Sequence, residues 1–470
     1  MTGSAEGRVI DDPVTGHRTH LGPQGAAVWE ALTAGATTTD ALAAATELDP
    51  TVLAWRLRQL DCALVLDSPR WRDQRALFAP RPDPETPPPL RLAPGLKHRC
   101  VGCGSSCHAV HVGPVPLATH LAADHHALWR DVPGANGAAD LFVQAGELRF
   151  MARRDDACVL LRPDGRCAIH AAAGAAAKPG VCRQFPYTLT RTPDAIHVGL
   201  QLECRSLTES LDAGRDESGI EADLIALTGA DAQVYELPHA VPLTCGVFVD
   251  AGELLAWLRP VADRISAAAG LPWGALMDDV CAEALPFVAA RARLIDDSWC
   301  VAPDAPEPAV AVGRLRGALE RGLAALVEAA EGAKKPYDVA LAEQLREALP
   351  AAFGDPLPTV SWHPEAVTLL HTALAADLQG LEVVRDRDLL FGLGRTRLSL
   401  TLAETVARLR ALTVARRVVR AQDVNDALVV VTRALRTTPV DAALREHAAE
   451  VRWLGAAPGR PFESWMGAPA

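Results

Sequence analysis

Aromatic side chains are scarce in this chain: Phe, Trp and Tyr together make up 5% of its 470 residues, with only three tyrosines. That scarcity disfavours a sheet-dominated fold, and the abundance of alanine and leucine favours helix. No apolar run approaches the roughly 18 residues needed to span a bilayer, so no membrane partner is expected. The opening residues, MTGSAEGRVIDDP, lack the basic and apolar regions of a secretory signal, which leads to the expectation of a cytoplasmic protein. Positive charge is also short. Lys and Arg number 46 against 58 Asp and Glu, a formal charge of −12, which argues against nucleic acid as a general partner. No Ser/His/Asp triad or close carboxylate pair stands out, and no catalytic residue is assigned. Gly392-Leu-Gly394 is a lone GxG between helical segments and reads as structural.

Cysteine, by contrast, is plentiful. There are eleven, and seven of them (Cys100, Cys103, Cys107, Cys158, Cys167, Cys182 and Cys204) fall within one stretch of 105 residues. In a reducing compartment such clustering points to metal rather than to disulfides. Cys62, Cys245, Cys281 and Cys300 are scattered among apolar neighbours and read as small buried residues.

The expected fold class is mainly α and multidomain, divided as residues 1–75, a Pro-rich linker 76–95, a small irregular cysteine-cluster domain 96–210 and a helical region 211–470. In the first part, RVIDDPVTGHRTHL reads as a hairpin turning at Asp12–Gly16. Three short helices follow, the second capped by Thr39 or Asp40 and the third opened by Asp49-Pro50. ALVLD reads as a closing strand. This order resembles a PqqD-type winged helix, a fold that binds leader peptides. The resemblance implies a peptide edge at Val9, Ile10 and Leu21 and a groove walled by Leu53, Arg56 and Leu57. A generic winged helix or DNA reader is the alternative, with Arg56 and Arg58 supplying its positive charge.

Seven prolines between residues 79 and 95 predict an extended linker. Further on, FVQAGELRF alternates around Gly146 and predicts a second hairpin leading to Cys158. Leu315, Leu319, Leu323 and Leu326 form an apolar stripe expected to face a core, as do the leucines from Leu398 to Leu412. Asp423, Asp426 and Arg433 are expected on a solvated helix face with ion pairs.

Thiolates suit soft metals and iron–sulfur clusters, and C-x2-C places two sulfurs on one turn. Glycines at 102 and 104 relax the backbone there. Cys100-Val-Gly-Cys103-Gly-Ser-Ser-Cys107, Cys158-Val-Leu-Leu161, Gly165-Arg-Cys167-Ala-Ile-His170 and Cys182-Arg-Gln-Phe-Pro186 together resemble the YkgJ-type cysteine-cluster family, which binds zinc or iron. With the long helical tail, the chain is also similar to the FliB-type flagellin lysine N-methylases. Two positions depart from the family pattern: Ser106 stands where a cysteine is usual, and His170 where tyrosine is. One four-iron four-sulfur cluster is the expected cofactor, with zinc as the alternative. Two sites would need His108 or His170 to complete eight ligands, and Arg183 is placed to donate to cluster sulfurs or a substrate carboxylate.

The order C-x2-C-x3-C is the reverse of the C-x3-C-x2-C of radical S-adenosylmethionine enzymes. The leading expectation is an iron–sulfur-dependent enzyme acting on a peptide or protein substrate. By resemblance its reaction is lysine N-methylation, with S-adenosylmethionine as methyl donor. The alternative is a non-catalytic zinc- or iron–sulfur-binding scaffold, or a redox-sensing regulator.

Overall fold

A computed structural model of the chain describes residues 8–11, 18–62, 66–68, 72, 74–78, 88–108, 112–214, 216–225, 227, 232–244, 246–268, 271–295, 308–333, 335–354 and 357–456. Mainly α is the observed class, with seventeen α-helices and six small sheets among the described residues. No described helix is long and apolar enough to cross a membrane. Two compact units emerge. One comprises Met1–Asp83, Pro238–Leu254 and Pro286–Cys300; the other comprises Pro84–Leu237, Leu255–Leu285 and Val301–Ala470.

In the first unit, strand Arg8–Asp11 pairs antiparallel with Arg18–Leu21, setting Val9 opposite His20 and Ile10 opposite Thr19. Helices Pro23–Thr33, Thr39–Thr46 and Pro50–Cys62 follow. Thr38 caps the second helix, one residue earlier than expected, because its hydroxyl accepts from the Ala41 amide at 3.2 Å. The Asp49 carboxylate accepts from the Thr51 amide at 2.8 Å and opens the third. Val28, Ala31, Leu42, Leu53 and Leu60 make the core, with Leu21 and Leu57 partly buried against it. Leu53 is therefore a core residue with no exposed surface, which corrects its expected place in a groove wall. Arg56 donates to Gln24 Oε1 at 2.8 and 3.3 Å. The turn at 12–16 and most of the expected strand at 63–67 lie outside the described residues, as do Cys245 and Cys300.

The same unit holds a hairpin that the sequence reading placed in a helical region. Ala240–Thr244 pairs with Val247–Asp250 around Gly246 (φ +69°). Gln74 clamps it, donating to the Gly246 carbonyl at 2.8 Å and accepting from the Phe248 amide at 2.6 Å. Both strands are almost wholly buried, so the polar alternation that marks a half-exposed strand is missing from their sequence.

The second unit is organised on a four-stranded sheet in the order Val234–Glu236, Tyr187–Arg191, Ile196–Leu200, Leu90–Arg91. Leu90–Arg91, in the segment expected to be linker, pairs parallel with Ile196–Leu200. Proline is tolerated ahead of such a short edge strand, and here the Pro89 carbonyl accepts from the Ile196 amide at 2.8 Å. Helix Pro364–Gln379 lies on the sheet where Gly199 meets Gly380 backbone to backbone. Helix Leu389–Thr413 forms the centre of the helical region. Gly392 and Gly394 sit at close helix approaches, where a Cβ would run into the Val383 and Val451 carbonyls, so the lone GxG is a packing device. Leu315, Leu319, Leu323 and Leu326 are buried as expected.

Candidate metal centre

One turn, from Cys100 to Cys107, anchors the cysteine region of the second unit. Gly102 (φ +67°) and Gly104 (φ +70°) adopt left-handed backbone, and a 3-10 turn over Ser105–Cys107 follows. The glycine at 104 is required, since a Cβ there would strike the Gly165 carbonyl. That approach seats the turn on the Arg162–Arg166 loop, which leads to Cys167 through a bridge between Leu161 and Cys167. A second bridge, His108 to Ala157, sets the residue after Cys107 beside the residue before Cys158. The hairpin expected around Gly146 is present as Phe142–Ala145 and Leu148–Met151, and Ala157–Cys158 is itself a short strand. Cys182 enters on the helix Gly180–Gln184, its amide bonded to the Pro179 carbonyl at 2.9 Å. Cys158, Cys167 and Cys182 all pack against one apolar core that includes Leu160, Ile169 and Met151.

Charge interactions sort the thiols into two sets. Burial pushes the Cys158 thiol up to about 12, with the charges of Cys107 and Cys167 adding to it. Burial likewise takes Cys182 up to about 12, against the opposing pull of the Lys178 ammonium, and Cys158, Cys107 and Cys167 reinforce the rise. Cys107 is raised by burial and then by Cys167, again with Lys178 opposing. Cys107, Cys158 and Cys182 are thus each raised further by other thiols of a set that includes Cys167. Cys204 is raised to about 11 by burial and is pushed further by Cys103 and Cys100. The small response of Cys107 to Cys103 links the sets.

The expected histidines are placed differently from the thiols. His170 is exposed on the helix Ala168–Ala173. The His108 ring stacks on Tyr337 with centroids 6.1 Å apart. Arg183 follows Cys182 on its helix and is half-buried. A histidine that the sequence reading passed over, His98, is buried with Nε2 at 3.5 Å from Cys204 Sγ. Only its position two residues before Cys100 could have drawn attention to it.

Helix Ala421–Arg436 packs its polar side chains towards this region. Arg433, 7% exposed, donates to the Ser105 carbonyl at 2.8 Å and the His108 carbonyl at 3.4 Å, with its guanidinium over the Tyr337 ring. Asn425, with no exposed surface, donates to the Cys204 carbonyl at 2.8 Å. Asp423 takes two hydrogen bonds from Arg416, at 2.6 and 2.8 Å. Asp426 pairs with Arg410 and stands 3.9 Å from Arg205, next to Cys204. The expected ion pairs exist, but the face is not solvated. Its buried carboxylates and guanidiniums are retained because each meets a partner.

Among the described residues no three His, Cys, Asp or Glu side chains are gathered closely enough to hold a metal ion as they stand. The donor chemistry nonetheless fits a soft cation, because Cys158, Cys167 and Cys182 pack on one apolar core, with Cys107 and Lys178 near enough for their charges to act on Cys182. No family model, curated protein or solved structure matches this chain.

Proposed function

We propose that this chain is a cytoplasmic iron–sulfur-dependent enzyme that modifies a peptide or protein. The lysine N-methylase type of reaction, with S-adenosylmethionine as donor, follows from the family resemblance alone. The observation that supports the metal part is the packing of Cys158, Cys167 and Cys182 against one apolar core, with Cys107 placed beside them by the bridge from His108 to Ala157. A cluster bound there would supply redox-active, Lewis-acidic iron. The chain's own groups have separate tasks. Leu160, Ile169 and Met151 exclude water, Lys178 offsets thiolate charge, and Arg433 fixes the turn that carries Cys107. Through Arg433 the helical region bears on the same site, and through Asn425 on the neighbouring Cys204, which suits a substrate bound between the cysteine turn and helix Ala421–Arg436.

A zinc-bound scaffold is the second reading, supported by the same four half-buried thiols, which would also suit a tetrahedral ion. Anaerobic purification of the full chain separates the two. The enzyme reading expects brown protein with about four iron and four acid-labile sulfide per chain. Colourless protein with stoichiometric zinc and no sulfide after reconstitution would replace it with the scaffold. Cys182→Ser should strip the iron, whereas Cys281→Ala, at a wholly buried position outside the cysteine region, should leave it in place.

A further inference from the structure

The sharpest unassigned feature of the cysteine region is a buried imidazole against a buried thiol. His98 and Cys204 are each 5% exposed, with Nε2 and Sγ 3.5 Å apart. The other ring nitrogen, Nδ1, lies 3.2 Å from the Tyr187 hydroxyl, and the Tyr187 ring meets the imidazole edge-on at 5.5 Å. A metal-binding histidine typically has this arrangement, with one nitrogen directed at the ligand set and the other held by a polar partner that fixes the tautomer. The backbone around the pair is equally fixed. The Arg99 amide donates to Ser210 Oγ at 3.0 Å, and the Cys204 carbonyl accepts from Asn425 at 2.8 Å. Two residues beyond His98 begins the C-x2-C of Cys100 and Cys103, both exposed.

We propose that His98, Cys100, Cys103 and Cys204 form a second metal site of the Cys3His type, distinct from the set Cys107, Cys158, Cys167 and Cys182, and that its ion is zinc. Three thiolates and one neutral imidazole make the donor set of a structural tetrahedral zinc site. The imidazole directs Nε2 at the Cys204 sulfur while Nδ1 is held by the Tyr187 hydroxyl. The three thiols each release one proton as the ion binds, and zinc draws the exposed Cys100 and Cys103 onto the buried pair. The assignment deepens the reading of this region as metal-binding, and it supplies the eighth ligand from His98 rather than from His108 or His170.

The test is metal counting on the anaerobically reconstituted full chain, supplied with iron, sulfide and zinc. Wild type should carry one zinc in addition to its iron. His98→Gln and Cys204→Ser should each lose that zinc while keeping iron and sulfide, and Cys182→Ser should lose iron while keeping zinc. Cobalt in place of zinc gives a second measurement, with intense thiolate-to-metal bands that weaken in His98→Gln. Tyr187→Phe, which removes only the hydroxyl behind the ring, should lower zinc affinity by about 10- to 100-fold. Unchanged zinc and unchanged cobalt spectra in both His98→Gln and Cys204→Ser would overturn the proposal, leaving a buried thiol–imidazole hydrogen bond only. Wild type that holds zinc but never iron would defeat the iron–sulfur reading and leave the second site standing.

Discussion

Arg433 donates to the carbonyl of Ser105 at 2.8 Å across 328 positions of sequence. Its second hydrogen bond, to His108, closes a clamp over the turn that carries Cys107. Arg433→Ala leaves two carbonyls short of a charged donor and removes the cation over Tyr337. Hydrogen bonds to charged groups are worth about 1.5–3 kcal/mol, so the variant should lose roughly 2–3 kcal/mol of unfolding free energy. Its metal content should fall as well, because ligation and folding are linked. Denaturant titration and metal analysis check the two effects. Arg433→Lys should recover little, since a single ammonium cannot reproduce the fork.

Close helix approaches make a second, metal-independent test. In helix Leu389–Thr413 a Cβ at Gly392 would collide with the Val383 carbonyl, whereas nothing lies within 4 Å of a Cβ at Gly313. Gly313 is inside helix Pro308–Gly332, where alanine is about 1 kcal/mol better than glycine. Gly313→Ala should therefore raise the melting temperature, and Gly392→Ala should lower it sharply. A common sign for the two substitutions would contradict the packing at Gly392.

The elements legible in the sequence were those with a local signature. The hairpin at Gly146 combined alternation with a left-handed glycine, and the leucine stripe from Leu315 to Leu326 repeated at helical spacing. The hairpin Ala240–Thr244 with Val247–Asp250 had no such alternation because nearly every side chain in it is buried. His98 was illegible for a different reason. Its partners, Tyr187 and Cys204, lie 89 and 106 residues away, and a histidine beside a cysteine motif reads alike whether buried or solvated. The polar stripe of Ala421–Arg436 misled in the opposite direction. Asp423 and Arg433 follow the spacing of a solvated face, yet are satisfied by Arg416 and by distant carbonyls.

A pH dependence follows from Asp377. Burial raises its pKa from 3.8 to about 7, with the charge of Glu382 adding, while the hydroxyl of Thr396, donating at 3.1 Å, opposes. The native state therefore holds this proton more tightly than the unfolded chain. The stability it contributes is present below about pH 4, declines as pH rises towards 7, and is flat above. Asp377→Asn keeps an acceptor for Thr396 and cannot ionise. Its stability should exceed wild type at neutral pH, and its profile between pH 4 and 7 should lose this slope. Urea titrations across that range check both, and parallel profiles would rule out Asp377 as their source.

Peptide capture by the N-terminal hairpin is the remaining expectation to test, and burial of Leu53 reshapes its test. Strand addition beside Arg8–Asp11 would use main-chain hydrogen bonds for affinity and side-chain pockets for selection. Of the expected groove residues, Leu57 is only partly buried and Arg56 donates to Gln24 at the surface, so Leu57 is the apolar one that keeps some exposed area. Leu57→Asp should weaken binding of a precursor peptide encoded beside the gene by about tenfold or more, since covering one leucine is worth about 1.5–3 kcal/mol. Leu53→Ala should instead destabilise the fold by about 2–5 kcal/mol. Calorimetric titration of the full chain, with duplex DNA at low and moderate salt as the control, reads out both partners. DNA binding that falls steeply with salt, without any peptide binding, would replace peptide capture with the regulator reading. Peptide binding lost in Leu57→Asp, with the protein still folded, would fix the groove beside Leu57 on helix Pro50–Cys62.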